Sequence, residues 1–144
     1  MYKRPNALAS YGKIANAETN PLKQIVMLYD GAIKFLNLTA ADIESGDLIA
    51  KAEHSNRAFD IIHYLQSILD YQRGGESAII LDNLYTRISK LALRASAELD
   101  AKLMRRAAEL LVPVRDAWET NAQKASAPLA MPPSFKNASA ASVK

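Results

Sequence analysis

Cysteine is absent from the 144 residues. That excludes a disulfide framework, a thiolate zinc site and a cysteine nucleophile together. Long apolar runs are absent as well, and no segment approaches the ~20 apolar residues of a membrane span. Met1-Tyr2-Lys3-Arg4 is basic, but Pro5-Asn6 and a mixed stretch follow where a secretory signal needs an apolar region. The expectation is a cytoplasmic protein without membrane insertion. Patterns that carry chemistry are scarce too. His54 and His63 stand nine residues apart on one predicted helix. That is ~900° of rotation, so they face opposite sides and cannot share a metal. No glycine-rich loop leads into Lys-Ser/Thr, and no nucleophile–base pair emerges from the spacing of the acids. The sequence therefore predicts no enzyme, no metal and no cofactor.

One sign of charge is missing from the ends of the chain. Residues 122–144 hold three lysines and no acid, and residues 1–19 hold three cations against one acid. Residues 20–121 carry twelve Lys and Arg against fourteen Asp and Glu. The formal charge of +3 thus belongs to the ends, whereas a nucleic-acid surface clusters its cations on one face of the fold. Nucleic acid is not the expected partner.

What is present favours helices. Glycine and proline number five and six and are grouped, and alanine is the commonest residue. Thr19-Asn20-Pro21 is a start signal, a capping side chain followed by proline at the first helical position. The first helix is predicted to run to about Glu44, stop at Ser45-Gly46-Asp47, and bury Leu22, Ile25, Val26, Tyr29, Ile33, Leu36, Ala40 and Ile43. A second spans about Asp47–Leu69, with Leu48, Ala52, Ser55, Phe59, Ile62, Leu65 and Leu69 inward. Asp70 to Gly75 reads as a loop. A third begins near Ser77, and a fourth carries Leu103, Ala107, Leu110, Leu111, Val114 and Trp118. No glycine or proline separates the last two. A phase change of roughly 90° in the apolar stripe places the break near Ser96–Asp100. Pro113 should kink the fourth helix or remove one of its hydrogen bonds. The economical architecture is all-α, an antiparallel four-helix bundle over residues 20–121. Residues 1–19 form a flexible N-terminal segment, and residues 122–144 a disordered Ala/Ser/Pro-rich tail.

The first two helices carry more apolar residues than one buried face requires. Met27, Gly31, Phe35 and Leu38 form a second stripe on the first helix. Ile61, Tyr64, Ile68 and Tyr71 repeat at +3, +4 and +3 on and beyond the second, ~100–150° from its main stripe. Two apolar faces mean either burial among several helices or an exposed groove for a partner helix. The spacing leaves both open. It also leaves Arg115 and Asp116 free to pair, cap or meet a partner. A competing reading is a histidine phosphotransfer domain, a four-helix bundle using a solvent-facing His54 within His54-Ser55-Asn56-Arg57-Ala58.

Several segments together carry a resemblance. Asn20-Pro21-Leu22, then Val26-Met27-Leu28-Tyr29-Asp30-Gly31 with Phe35, resemble the opening helix of the FliS-type flagellar export chaperones. Arg73-Gly74-Gly75-Glu76, Leu84-Tyr85, and Leu110-Leu111 leading to Arg115-Asp116-Ala117-Trp118-Glu119 follow in the family's order. The resemblance implies a helical bundle that binds the C-terminal segment of newly made flagellin in the cytoplasm. It implies that this prevents premature polymerisation and assists delivery to a component of the flagellar type III export gate. On that basis Met27, Gly31, Phe35, Leu38, Ile61, Tyr64, Ile68 and Tyr71 are the expected groove residues. Tyr11 and Ile14 are an expected displaceable cover, and Tyr29 and Trp118, on the main stripes, core anchors.

Overall fold

The computed structural model describes residues 20–124. Among these residues five helices follow one another: α1 (Pro21–Ser45), α2 (Leu48–Ser67), the four-residue α3 (Tyr71–Gly74), α4 (Glu76–Glu98) and α5 (Ala101–Lys124). The all-α expectation holds, with α1, α2, α4 and α5 as the four long members. Each long helix packs on two neighbours in the cyclic order α1, α2, α4, α5, and α1 meets α4 only across the diagonal. No helix among the described residues is long and apolar enough to cross a membrane.

Asn20 begins α1 with two bonds. Its Oδ1 accepts from the Leu22 N–H at 2.9 Å, and its Nδ2 donates to the Ala122 carbonyl at 2.8 Å. The cap therefore also ties the start of α1 to the end of α5. Arg115 to Asp30 at 2.8 Å and Arg105 to Glu44 at 2.7 Å continue the pairing up the bundle, so α1 and α5 run antiparallel over their whole length. Arg105 grips both oxygens of Glu44. That fork holds the Glu44 carboxyl below its ordinary range and pushes the Arg105 guanidinium up.

Both tight connections between long helices use the same geometry. After α1, Gly46 sits at φ 75°, its N–H bonds to the Ile43 carbonyl, and the Asp47 N–H reaches back to Asp42. Asp47 then caps α2 by accepting from the Ala50 N–H at 3.0 Å. After α4, Leu99 sits at φ 55°, its N–H bonds to Ser96, and the Asp100 N–H bonds to Ala95 at 2.9 Å. Asp100 caps α5 through Leu103 at 3.0 Å. These are Schellman endings followed at once by an aspartate cap. The break expected at Ser96–Asp100 is confirmed, with leucine where the motif prefers glycine. A left-handed leucine is strained by about 1–2 kcal/mol, and its half-exposed side chain recovers little of that. Leu99→Gly is therefore expected to raise the thermal midpoint by a few degrees, about 1 kcal/mol after glycine's larger unfolded entropy is subtracted. A scanning calorimetry melt checks this, and a lower midpoint contradicts it.

The 70–75 segment differs from the expected loop. Asp70 accepts from the Gln72 and Arg73 N–H groups at 3.1 and 3.0 Å and nucleates α3. Gly75 ends it at φ 52°, ψ −125°, a backbone conformation available to glycine alone. Pro113 lies on an exposed side of α5, which continues through it to Lys124, three residues past the expected end of the bundle. The hydrogen bond it removes frees the backbone carbonyl of exposed Glu109, where water can serve it.

The segments that carry the family resemblance meet in the core. Tyr29 of α1 and Tyr85 of α4 share a hydrogen bond across the diagonal, their ring centroids 6.2 Å apart. The Trp118 indole of α5 reaches the same Tyr29 phenol. Burial pushes both phenols well above the ordinary tyrosine range. Next door, Arg115 is held charged by Asp30 first, then by Asp116 and Glu119. Arg115 therefore pairs within the fold, and Tyr29 and Trp118 are core residues, at 0% and 6% exposure.

Candidate partner-binding surface

α1 lies between α5 and α2, and this accounts for its second apolar stripe. Buried positions run around α1 from Gly31 and Phe35 through Ala32 and Tyr29 to Val26, more than half of its circumference at 100° per residue. Of the four expected groove residues on α1, Gly31 and Phe35 are buried, while Met27 and Leu38 are half-buried at the edge of that arc. For α1, then, most of the surplus is a wide core.

α2 behaves differently. Ile61 is fully buried among Ala58, Ile62 and Leu65. It precedes Ile62 by only 100° of rotation, and the arc that α2 buries is wide enough to hold both. Ile61 is thus a core residue in this conformation and not a surface of the groove. Tyr64 and Ile68, further around the same flank, stay 41% and 43% exposed. The first turn also departs from expectation. Leu48 and Ala52 are exposed, and at that end Lys51 spans to α4 by donating to the Ser96 carbonyl at 3.1 Å.

The seam between α1 and α2 is fixed by Phe35 and His54. Their rings stack with centroids 5.9 Å apart and planes at 27°. The His54 Nδ1 lies 2.6 Å from the Asp42 carboxylate, and the two side chains are only 27% and 14% exposed. His54 is therefore a tie between helices and not the solvent-facing histidine of a phosphotransfer domain. His63, on the far side of α2, stacks on Phe59. Positions 57, 61 and 64 of α2 and its C-cap residue 68 recur at +4, +3 and +4, on the flank of α2 turned toward the α1 stripe of positions 27, 31, 35 and 38. One face of the bundle therefore gathers Met27, Phe35, Leu38, Tyr64 and Ile68, with Gly31 and Ile61 beneath.

Tyr71 does not join them. It sits half-exposed on α3 and leans to Asp82 of α4. Partial burial and that hydrogen bond raise its phenol above the ordinary range. Gln66 donates to the same Asp82 at 2.9 Å and to Thr86 at 3.1 Å. Beyond this link, a depression of about 420 Å³ between α2 and α4 is lined by Phe59, His63, Ser89, Lys90 and Leu93 among others. The helical stripes did not single it out, because its lining mixes polar and apolar types. Lys34 and Arg57, whose charged heads lie over the Phe35 ring, were missed as well. The signal available for Lys34 was its place beside Phe35. Tyr11 and Ile14, the expected cover, lie outside the described residues.

Comparison with known proteins agrees with the motifs. The family described as flagellar protein FliS matches residues 4–125. The flagellar secretion chaperone FliS of Salmonella typhimurium is 35% identical over 108 residues, which cover 74% of this chain and 80% of that protein. FliS of Vibrio cholerae is 28% identical over 141 residues, covering 95% and 96%. The flagellar secretion chaperone FliSB of Pseudomonas aeruginosa is 29% identical over 103 residues, covering 72% and 82%. The matched stretch includes the Tyr29–Tyr85–Trp118 contact and the whole α1–α2 seam. The chain belongs to the FliS family of flagellar secretion chaperones.

Proposed function

We propose that this protein binds the C-terminal segment of flagellin in the cytoplasm along the α1–α2 face. Binding keeps flagellin from polymerising early and assists its passage to a component of the flagellar type III export gate. The observation that carries the reading is the pair of large side chains, Tyr64 and Ile68, left more than 40% exposed beside the Phe35 seam in a family of secretion chaperones. A segment that orders only on binding loses conformational entropy, so its receptor must offer extended apolar contact. Amphipathic helices dock in such grooves by anchors at i, i+3/i+4 and i+7. The protein works by binding and carries out no reaction.

Titration calorimetry of the full chain against the flagellin of its own organism tests this. Intact flagellin is expected to bind at one to one, and flagellin cut short of its C-terminal segment is expected to lose that heat. Equal binding by both forms contradicts the reading.

A further inference from the structure

The ring of Phe35 at the α1–α2 seam is flanked by two cationic side chains and an imidazole. Lys34 places Nζ 5.5 Å from the ring centroid, and Arg57 places its guanidinium carbon 5.7 Å away from the other helix. The imidazole of His54 stacks on the same ring. The nearby carboxylate of Asp42 is already engaged by His54 at 2.6 Å. Among the described residues neither Lys34 nor Arg57 takes part in an ion pair. Arg57 has Glu53 and Asp60 within a turn on its own helix, yet it leans across the seam to Phe35. The aromatic face holds the two cations in place, with Lys34 exposed and Arg57 partly so.

Covering this seam with a partner helix removes that water. A desolvated cation without a counter-charge is costly, and a partner that is apolar throughout would incur that cost twice. A carboxylate brought to the same level turns the cost into two charge-assisted hydrogen bonds, one of them to a planar guanidinium that can grip both oxygens. The apolar strip alone accepts many amphipathic helices, so a charge pair at a fixed level supplies register and choice among them.

We propose that Lys34 and Arg57, converging on Phe35, form an anchor for an acidic side chain of the docking segment. The α1–α2 face then selects an amphipathic helix carrying a carboxylate at that level, with its apolar anchors placed toward Leu38 on one side and toward Tyr64 and Ile68 on the other. The proposal rests on the reading that flagellin's C-terminal segment is the occupant.

The test uses the full chain and a synthetic peptide of that segment. Lys34→Gln combined with Arg57→Gln keeps the inner two methylenes of each side chain and removes both charges. Affinity is expected to fall about tenfold or more, and its weakening with added salt is expected to flatten. In parallel, each acidic residue of the peptide is replaced by its amide and titrated against the unaltered protein. One position is expected to reproduce the loss, and that same peptide is expected to lose little further affinity against the doubly substituted protein. The titrations against the unaltered protein need no variant, so a peptide series in which no single acidic position carries the loss overturns the anchor even if the double variant folds poorly. Unchanged affinity and salt dependence, or no single peptide position that couples to Lys34 and Arg57, overturns the anchor. An unaltered protein that does not bind the peptide at all overturns the functional reading, and the anchor with it.

Discussion

Tyr64→Asp is expected to weaken the complex with flagellin's C-terminal segment by about a hundredfold or more, since an unpaired carboxylate would be buried against an apolar helix face. The thermal melt of the free protein should hardly move. Tyr64 is 41% exposed, and substitutions at such surface positions usually change stability by within about 0.5 kcal/mol. Tyr64→Phe keeps the ring and should bind nearly as the parent does. Ile61→Asp gives the contrast. Its side chain has no exposure, so the charge would enter the core and collapse the fold before binding could be measured. Circular dichroism and calorimetry on these variants separate the two positions. A Tyr64→Asp protein that melts many degrees lower would place Tyr64 in the core instead.

The second large effect concerns the diagonal of the bundle. Removing the Tyr29 hydroxyl, as in Tyr29→Phe, leaves the buried Tyr85 hydroxyl without its hydrogen bond across the diagonal, a loss of about 1–3 kcal/mol. Tyr85→Phe should cost a similar amount. Replacing both removes donor and acceptor together, so the double variant is expected to lose clearly less than the sum of the singles. The same pair sets an alkaline limit. Both phenols titrate well above the ordinary value near 10 in the folded state, chiefly through burial. A group whose folded pKa is raised lends its full stability below the unfolded pKa and loses it as pH climbs toward the folded one. Stability should therefore be flat up to about pH 10 and then fall, by as much as about 1.4 kcal/mol per pH unit for each phenol. The double phenylalanine variant should resist that fall. Urea titrations at pH 8, 10 and 11 measure it, and an identical alkaline loss in both proteins contradicts the assignment.

Why some of this was legible in the sequence is clear from particular residues. Asn20-Pro21 and Gly46 are local signals whose backbone consequences do not depend on the rest of the fold, and α1 begins and ends where they place it. The break at Leu99 was found through the change in stripe phase, although leucine is a poor residue for a left-handed turn. The short α3 was hidden because the glycines at 74 and 75 suggested a loop, while Asp70 was already capping a helical turn. The second stripe of α1 stayed open between core and groove because periodicity counts faces and not neighbours. A helix flanked by α2 and α5 buries its main stripe and most of the second, Gly31 and Phe35 included. Ile61 was misplaced for a similar reason, since 100° of rotation is less than the arc α2 presents to the core. The motifs that resemble the family report mainly on the scaffold. Tyr29, Tyr85, Asp30, Arg115 and Trp118 hold α1 to α4 and α5, whereas Tyr64 and Ile68, the exposed pair, lie outside those motifs.

The central claim is that the occupied face is the α1–α2 seam and not the depression between α2 and α4. A photoreactive phenylalanine analogue placed at Tyr64 in one protein and at Leu93 in another tests it most directly, because both positions are exposed and lie on opposite flanks. After irradiation with intact flagellin, position 64 is expected to cross-link to the flagellin C-terminal segment and position 93 to yield little or nothing. Cross-linking from 93 with none from 64 would move the binding face to the other side of α2 and contradict the claim.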